Sequence, residues 1–178
     1  MAIMVGFALT VGVNTADAQW LLVPMDRAQE NHLKAYGLTY WTLEQEERSE
    51  WLLNYRGGSF LLPDQPRVRR EAAFRGVTVE PMGAIAEARM RATVAGSNME
   101  AVPLERAPKV AIYTPPNSTP WDDAVTMVLE YAGIEYETIW DPDVLDGSLA
   151  DYEWIHLHHE DFTGQYSKFF LTYSGAPW

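Results

Sequence analysis

The 178-residue chain is 47% apolar and 12% aromatic, which is enough to fill a packed core and excludes a chain that stays disordered. Thirteen Lys and Arg stand against 25 Asp and Glu, and the resulting net charge of -12 repels nucleic-acid phosphates and anionic headgroups, so neither is an expected partner. The absence of cysteine excludes disulfides, thiolate metal sites and a cysteine nucleophile together.

Residues 3–13 (IMVGFALTVGV) form an apolar run shorter than the roughly 20 residues a membrane-spanning helix needs. Ala16-Asp17-Ala18 then offers a small-x-small cleavage site, so residues 1–18 read as a signal peptide or a short N-terminal anchor. No direct membrane span is expected. Residues 20–25 (WLLVPM) read as a buried strand, and Asp26 is placed to cap a helix in which Leu33, Tyr36, Tyr40, Trp41 and Leu43 recur at helical spacing. A second strand at 51–55 meets the turn Arg56-Gly57-Gly58-Ser59, and extended structure resumes at 59–62 until Pro63-Asp64-Gln65-Pro66 stops it.

A polar helix at 67–74, ended by Gly76, carries Arg67, Arg69, Arg70 and Arg75 interleaved with Glu71 as a solvated face. A short strand at 77–79 and a helix from Pro81 to about residue 95 complete an N-terminal α/β subdomain over 19–95. Residues 96–108, aperiodic and holding two prolines, read as a linker. The second subdomain, 109–162, has strands at 109–113 (KVAIY), 136–140 (YETIW) and 152–157 (YEWIHL). Its helix at 121–132 closes on Gly133. Strand, helix, strand, connection, strand predicts short parallel βαβ units and an α/β fold class. An aromatic tail, 163–178, adds no further unit.

Chemistry-bearing residues concentrate at His156-Leu157-His158-His159-Glu160-Asp161, at the end of a predicted strand, where parallel α/β sheets collect ligands. His156 and His158 share one strand face, as two imidazole ligands of a zinc-like ion require, and Glu160 or Asp161 can add an oxygen. The alternative is structural: histidines bonding loop backbone, carboxylates capping the next turn. His32 is the one remaining histidine, and no distant third ligand stands out. Asp122-Asp123 at a helix start read as caps before they read as an acid-base pair. Arg56, Gly57 and Gly58 form a candidate anion-binding turn, without the spacing of a P-loop or dinucleotide fingerprint. No cofactor motif is present.

The segments WLLVPMDRAQENHLKAYGLTYWTLE, EWLLNYRGGSFLLP, NMEAVPLERAPKVAIYTP, PWDDAV and DYEWIHLHHEDFTGQYSKF resemble the opening part of a family of exported bacterial proteins often labelled asparagine synthetase B. An N-terminal amidotransferase of that enzyme class uses a cysteine at its mature N-terminus, which this chain lacks. The strand pattern from Lys109 resembles instead the first half of a flavodoxin-like, class I glutamine amidotransferase-like domain, with its C-terminal half incomplete. A shortened, exported, acidic relative of that kind is also similar to an extrinsic periplasmic subunit of a bacterial photosynthetic reaction-centre and light-harvesting complex.

The expectation from sequence is therefore a non-catalytic periplasmic accessory subunit, docking on the protein subunits of a membrane-bound assembly and binding no cofactor. The alternative is a metal-assisted hydrolase or amidotransferase-like enzyme using the cluster from His156 to Asp161.

Overall fold

The computed structural model describes residues 19–114, 116, 123–157 and 171–177. Residues 1–18 and most of the aromatic tail lie outside them, as do His158, His159, Glu160 and Asp161. The elements run β1 (Trp20–Val23), α1 (His32–Glu44), β2 (Ser49–Leu53), β3 (Ser59–Pro63), α2 (Pro66–Arg75), β4 (Glu80–Met82), α3 (Ala84–Ala95), β5 (Glu100–Leu104), β6 (Val110–Tyr113), α4 (Ala124–Ala132), β7 (Glu137–Ile139), α5 (Asp141–Leu145) and β8 (Trp154–Leu157). The fold is mixed α/β, as expected, but its two sheets differ in kind.

The first five strands form one sheet in the order β4-β1-β3-β2-β5. Every pairing in it is antiparallel. The expected parallel pairing therefore applies only to the second half. Side chains alternate across this sheet as strand geometry dictates. Leu21, Val23, Phe60 and Leu62 face Ala35, Leu38, Val68 and Ala72 of α1 and α2. Leu22, Leu52 and Leu61 face Met90 and Val94 of α3 on the other side. The result is a helix–sheet–helix sandwich in which each face is closed by its own apolar cluster.

The second sheet has three strands in the order β7-β6-β8, all parallel. Val110 and Ile112 of β6 pack on Leu129 of α4, with Val125, Ile134 and Tyr136 around them. The helix closes on Gly133 in the left-handed conformation, φ 71°, which matches the sequence expectation.

The two halves meet where α1 lies against α4. Gly37 permits this: a methyl group there would collide with the Ala132 carbonyl oxygen. Arg75 donates from Nη1 to that same carbonyl at 2.8 Å, and Tyr40 donates its hydroxyl proton to the Pro108 carbonyl at 3.0 Å. Asn31, which caps α1 by accepting from the Lys34 amide, also donates to the Tyr131 hydroxyl at 2.6 Å.

Several elements fall elsewhere than the sequence predicts. Asp26 does not cap α1, which begins six residues later; its carboxylate accepts from the Ala28 amide in a local turn. The strand expected at 77–79 forms instead at β4, because the ladder with β1 takes Glu80, Pro81 and Met82 as partners while Val77 is buried without joining it. Pro81 therefore sits in an edge strand, where its missing N–H costs nothing, and the following helix starts at Ala84. Within the stretch read as linker, residues 100–104 form β5 on the other edge of the same sheet.

Candidate functional site

The carboxyl ends of parallel strands converge at one place in the second half. Thr114 follows β6, the central strand, and His156 lies on β8 opposite Ile112. Because side chains alternate, Thr114, Ile112 and His156 share the face that α4 covers. Asp123 begins that helix: its Oδ1 accepts from the Val125 amide at 2.6 Å and the Thr126 amide at 3.3 Å. The sequence expectation that Asp123 caps is met, and the carboxylate has a second neighbour. His156 Nε2 lies 3.1 Å from Asp123 Oδ1, with the two side chains 21% and 14% exposed.

This approach is an ion-pair distance but not an aligned hydrogen bond, for Nε2 is shielded from solvent and has no hydrogen-bond partner. Thr114 is in the same position: it is 4% exposed and its Oγ1 is unpartnered. Unpaired buried polar atoms are uncommon in folded proteins, and two of those found among the described residues lie on the adjacent parallel strands β6 and β8 or just beyond them. On the opposite face of the same strand end, Tyr113 stacks on Trp140 at 4.7 Å and its hydroxyl donates to Asp141 at 2.5 Å. The structure thus joins His156 to Asp123, a pairing hidden from sequence because 33 positions separate them. His158, His159, Glu160 and Asp161 lie outside the described residues.

Arg56, Gly57 and Gly58 do form a turn, with φ of 46°, 85° and 89°. It does not present a free cation. Arg56 Nε donates to Asp26 at 2.7 Å and Nη1 to Glu80 at 2.7 Å, and these bonds hold the guanidinium well above its ordinary pKa. A chain with 25 carboxylates supplies the counter-ions internally. The Gly58 amide donates to the Tyr55 carbonyl at 3.0 Å, and a side chain at Gly57 would collide with the Met25 carbonyl. Through these bonds Arg56 clasps the β2–β3 hairpin to the loop after β1.

A second concave region, a cleft of about 290 Å³, opens between the end of α1 and the start of β7 and is lined by Tyr40, Glu44, Lys109, Glu135 and Glu137 among others. Desolvation there, and then the charge of Glu135, push the Glu44 carboxyl above the usual range. Desolvation followed by Glu44 and Glu135 raises the Tyr40 phenol likewise. The cleft is an acidic junction between the two halves. Among the described residues no helix is long and apolar enough to cross a membrane.

Comparison with known proteins places no neighbour beside this chain: no family model, no curated protein and no solved structure matches it.

Proposed function

We propose that this chain is a non-catalytic accessory subunit that docks on a larger membrane-bound protein assembly, on the exported side of the membrane, in the manner of an extrinsic subunit of a photosynthetic reaction-centre complex. The observation that carries the reading is an apolar seam left open where the two halves join. Leu33 of α1 and Met127, Val128 and Tyr131 of α4 are exposed, Met127 by 58% and Tyr131 by 49%. Tyr131 is fixed there by the Asn31 hydrogen bond and by Lys34, whose ammonium sits 4.7 Å from the ring centre.

Around the side of α1, exposed Tyr36 meets Phe60 edge-on at 5.5 Å, and Phe60 stacks on Trp51, so aromatic surface continues onto the sheet. Rigidly held aromatic and Met side chains are the residue types that anchor protein interfaces, because they bury much area and lose little entropy. The apolar run at 3–13 and the small-residue site at 16–18 support export. The chain's negative charge favours a partner surface that is basic.

The test is co-purification. The tagged full chain, incubated with solubilised native membranes, is expected to bring down a defined membrane complex. The double variant Leu33→Glu, Met127→Glu changes only exposed positions and is expected to reduce that recovery at least tenfold while leaving the melting temperature unchanged. Recovery unaffected by the two charges, or a monomer that retains no membrane protein, ends the docking reading.

A further inference from the structure

β8 ends the three-stranded sheet with an edge that the docking seam on α1 and α4 does not use. We propose that this edge takes an extended segment of a partner protein as a fourth strand, apolar along its length and basic at its ends; the inference deepens the docking reading and rests on it for the source of the segment. β8 stands last in the order β7-β6-β8, and among the described residues no strand pairs with its outer side. The Trp154 amide donates inward, to the Lys109 carbonyl at 3.2 Å. Backbone groups point alternately to the two sides of a strand, so Trp154 and His156 bond towards β6 while Ile155 and Leu157 turn their amides outward. A row of such unpaired groups is a template for another strand, and proteins blunt it with proline, charge or brevity.

The other sheet edges are blunted in this way. β4 holds Glu80 and Pro81, β5 holds Glu100 and Pro103, and the short β7 begins with Glu137. β8 reads Trp154-Ile155-His156-Leu157, without proline, carboxylate or ammonium, and its one titratable side chain is turned onto Asp123. Trp154 and Leu157, on opposite faces of the sheet, are 42% and 44% exposed. Charge selects the occupant. Glu137 accepts the Tyr152 hydroxyl at the foot of β8, and Asp143 and Asp151 lie close enough to act on the same phenol. The nearby cations are committed, Arg106 to Glu153 and Lys109 towards Glu137, which leaves Asp143 and Asp151 for a Lys or Arg on an incoming segment. A second copy of the chain would bring the same carboxylates and a further net charge of -12, so pairing with itself is disfavoured. In strand addition the main-chain hydrogen bonds supply affinity, and side chains at alternate positions supply selectivity.

The experiment titrates the full chain with a synthetic peptide of alternating valine and threonine ended by lysines, and with a counterpart ended by glutamates, read by calorimetry and by amide hydrogen exchange. Saturable binding of the lysine-ended peptide is expected, with slowed exchange at the Ile155 and Leu157 amides, and affinity for the glutamate-ended peptide should be at least tenfold lower. Ile155→Pro removes an outward donor and spares the ladder with β6, as proline does on an edge. Leu157→Lys adds at an exposed position the charge that blunts an edge. Each is expected to weaken binding at least tenfold, and Leu157→Lys alone decides if Ile155→Pro lowers the melting temperature. Absence of saturable binding, equal affinity for the two peptides, unchanged affinity in Leu157→Lys, or a chain that dimerises through β8 in place of binding the peptide overturns the proposal. A chain that binds the lysine-ended peptide but recovers no membrane complex loses the docking reading alone; one that recovers the complex and ignores the peptide loses this inference alone.

Discussion

Position 37 shows how much one missing carbon decides. The α1 and α4 backbones touch at Gly37 and Ala132, and Gly37→Ala would force the helices apart together with the Arg75 bond to the Ala132 carbonyl. Overpacking of a tight contact costs about 1–3 kcal/mol, and the upper part of that range is expected here because the obstacle is backbone rather than a yielding side chain. Urea unfolding of the variant checks it; a loss under about 0.5 kcal/mol, the size of an ordinary surface substitution, would show the contact to be looser. Two tyrosines give a residue-level prediction of another kind. Tyr136, by desolvation first and then its bond to Glu130, is pushed up to about 12, and so is Tyr152, by its bond to Glu137 and then desolvation.

For both, the folded pKa lies above the unfolded value of 10.0, so the folded state favours the neutral phenol. Their contribution to stability is whole below pH 10 and is lost as pH climbs through about 12. Absorbance titration should show Tyr136 and Tyr152 among the tyrosines that ionise late, and Tyr152→Phe should remove one late step. If all the phenols titrate together near pH 10, these hydrogen bonds do not persist in solution.

At the scale of elements, loops are held by side chains that stand in for absent strands. Gln29 is buried, and its amide donates to the Pro24 and Thr78 carbonyls while its oxygen accepts from the Thr78 amide. The segment after β1 and the segment before β4 are thereby joined without a ladder. Gln29→Leu would strand three backbone groups at about 1–3 kcal/mol each when fully buried, so a total loss of roughly 2–4 kcal/mol is expected by thermal melt, allowing for water reaching some of them. A neutral result would mean that water replaces the amide completely.

The elements legible in sequence were those with a local signal. Gly76 and Gly133 end α2 and α4 in the left-handed conformation, as glycines after a periodic run should. The β2–β3 turn was legible for the same reason. What escaped was set by distant partners. β5 shows no alternation because it is an edge strand, and Pro103, one of the two prolines that mark its segment as a linker, is tolerated there. β4 was displaced by three residues because Val77 satisfies its hydrophobicity in the core without pairing. Asp26 was taken for a cap although Arg56 claims it, a bond across 30 positions. In the candidate site the histidine was legible and its aspartate was not, since only the parallel pairing of β6 with β8 brings the start of α4 above His156.

For the whole molecule, the decisive fact is that one helix touches both halves. α1 closes a face of the antiparallel sheet with Ala35 and Leu38, and lays Gly37 and Tyr40 against the parallel half. The covalent connection beside it is slight: between β5 and β6 the chain runs through Glu105 to Lys109 outside any strand, and Arg106 is exposed while paired to Glu153. Brief trypsin treatment should nick after Arg106, and the two fragments should stay together on a native gel and part only in denaturant. Fragments that separate at once would show that the linker, and not the helix pair, keeps the halves assembled.

The backbone-to-backbone contact at Gly37 also has a mechanical consequence. Side chains between helices act as cushions that let one slide on the other by changing rotamer, and between Gly37 and the Ala132 carbonyl none intervenes. At that point a rotamer change cannot let α1 slide on α4.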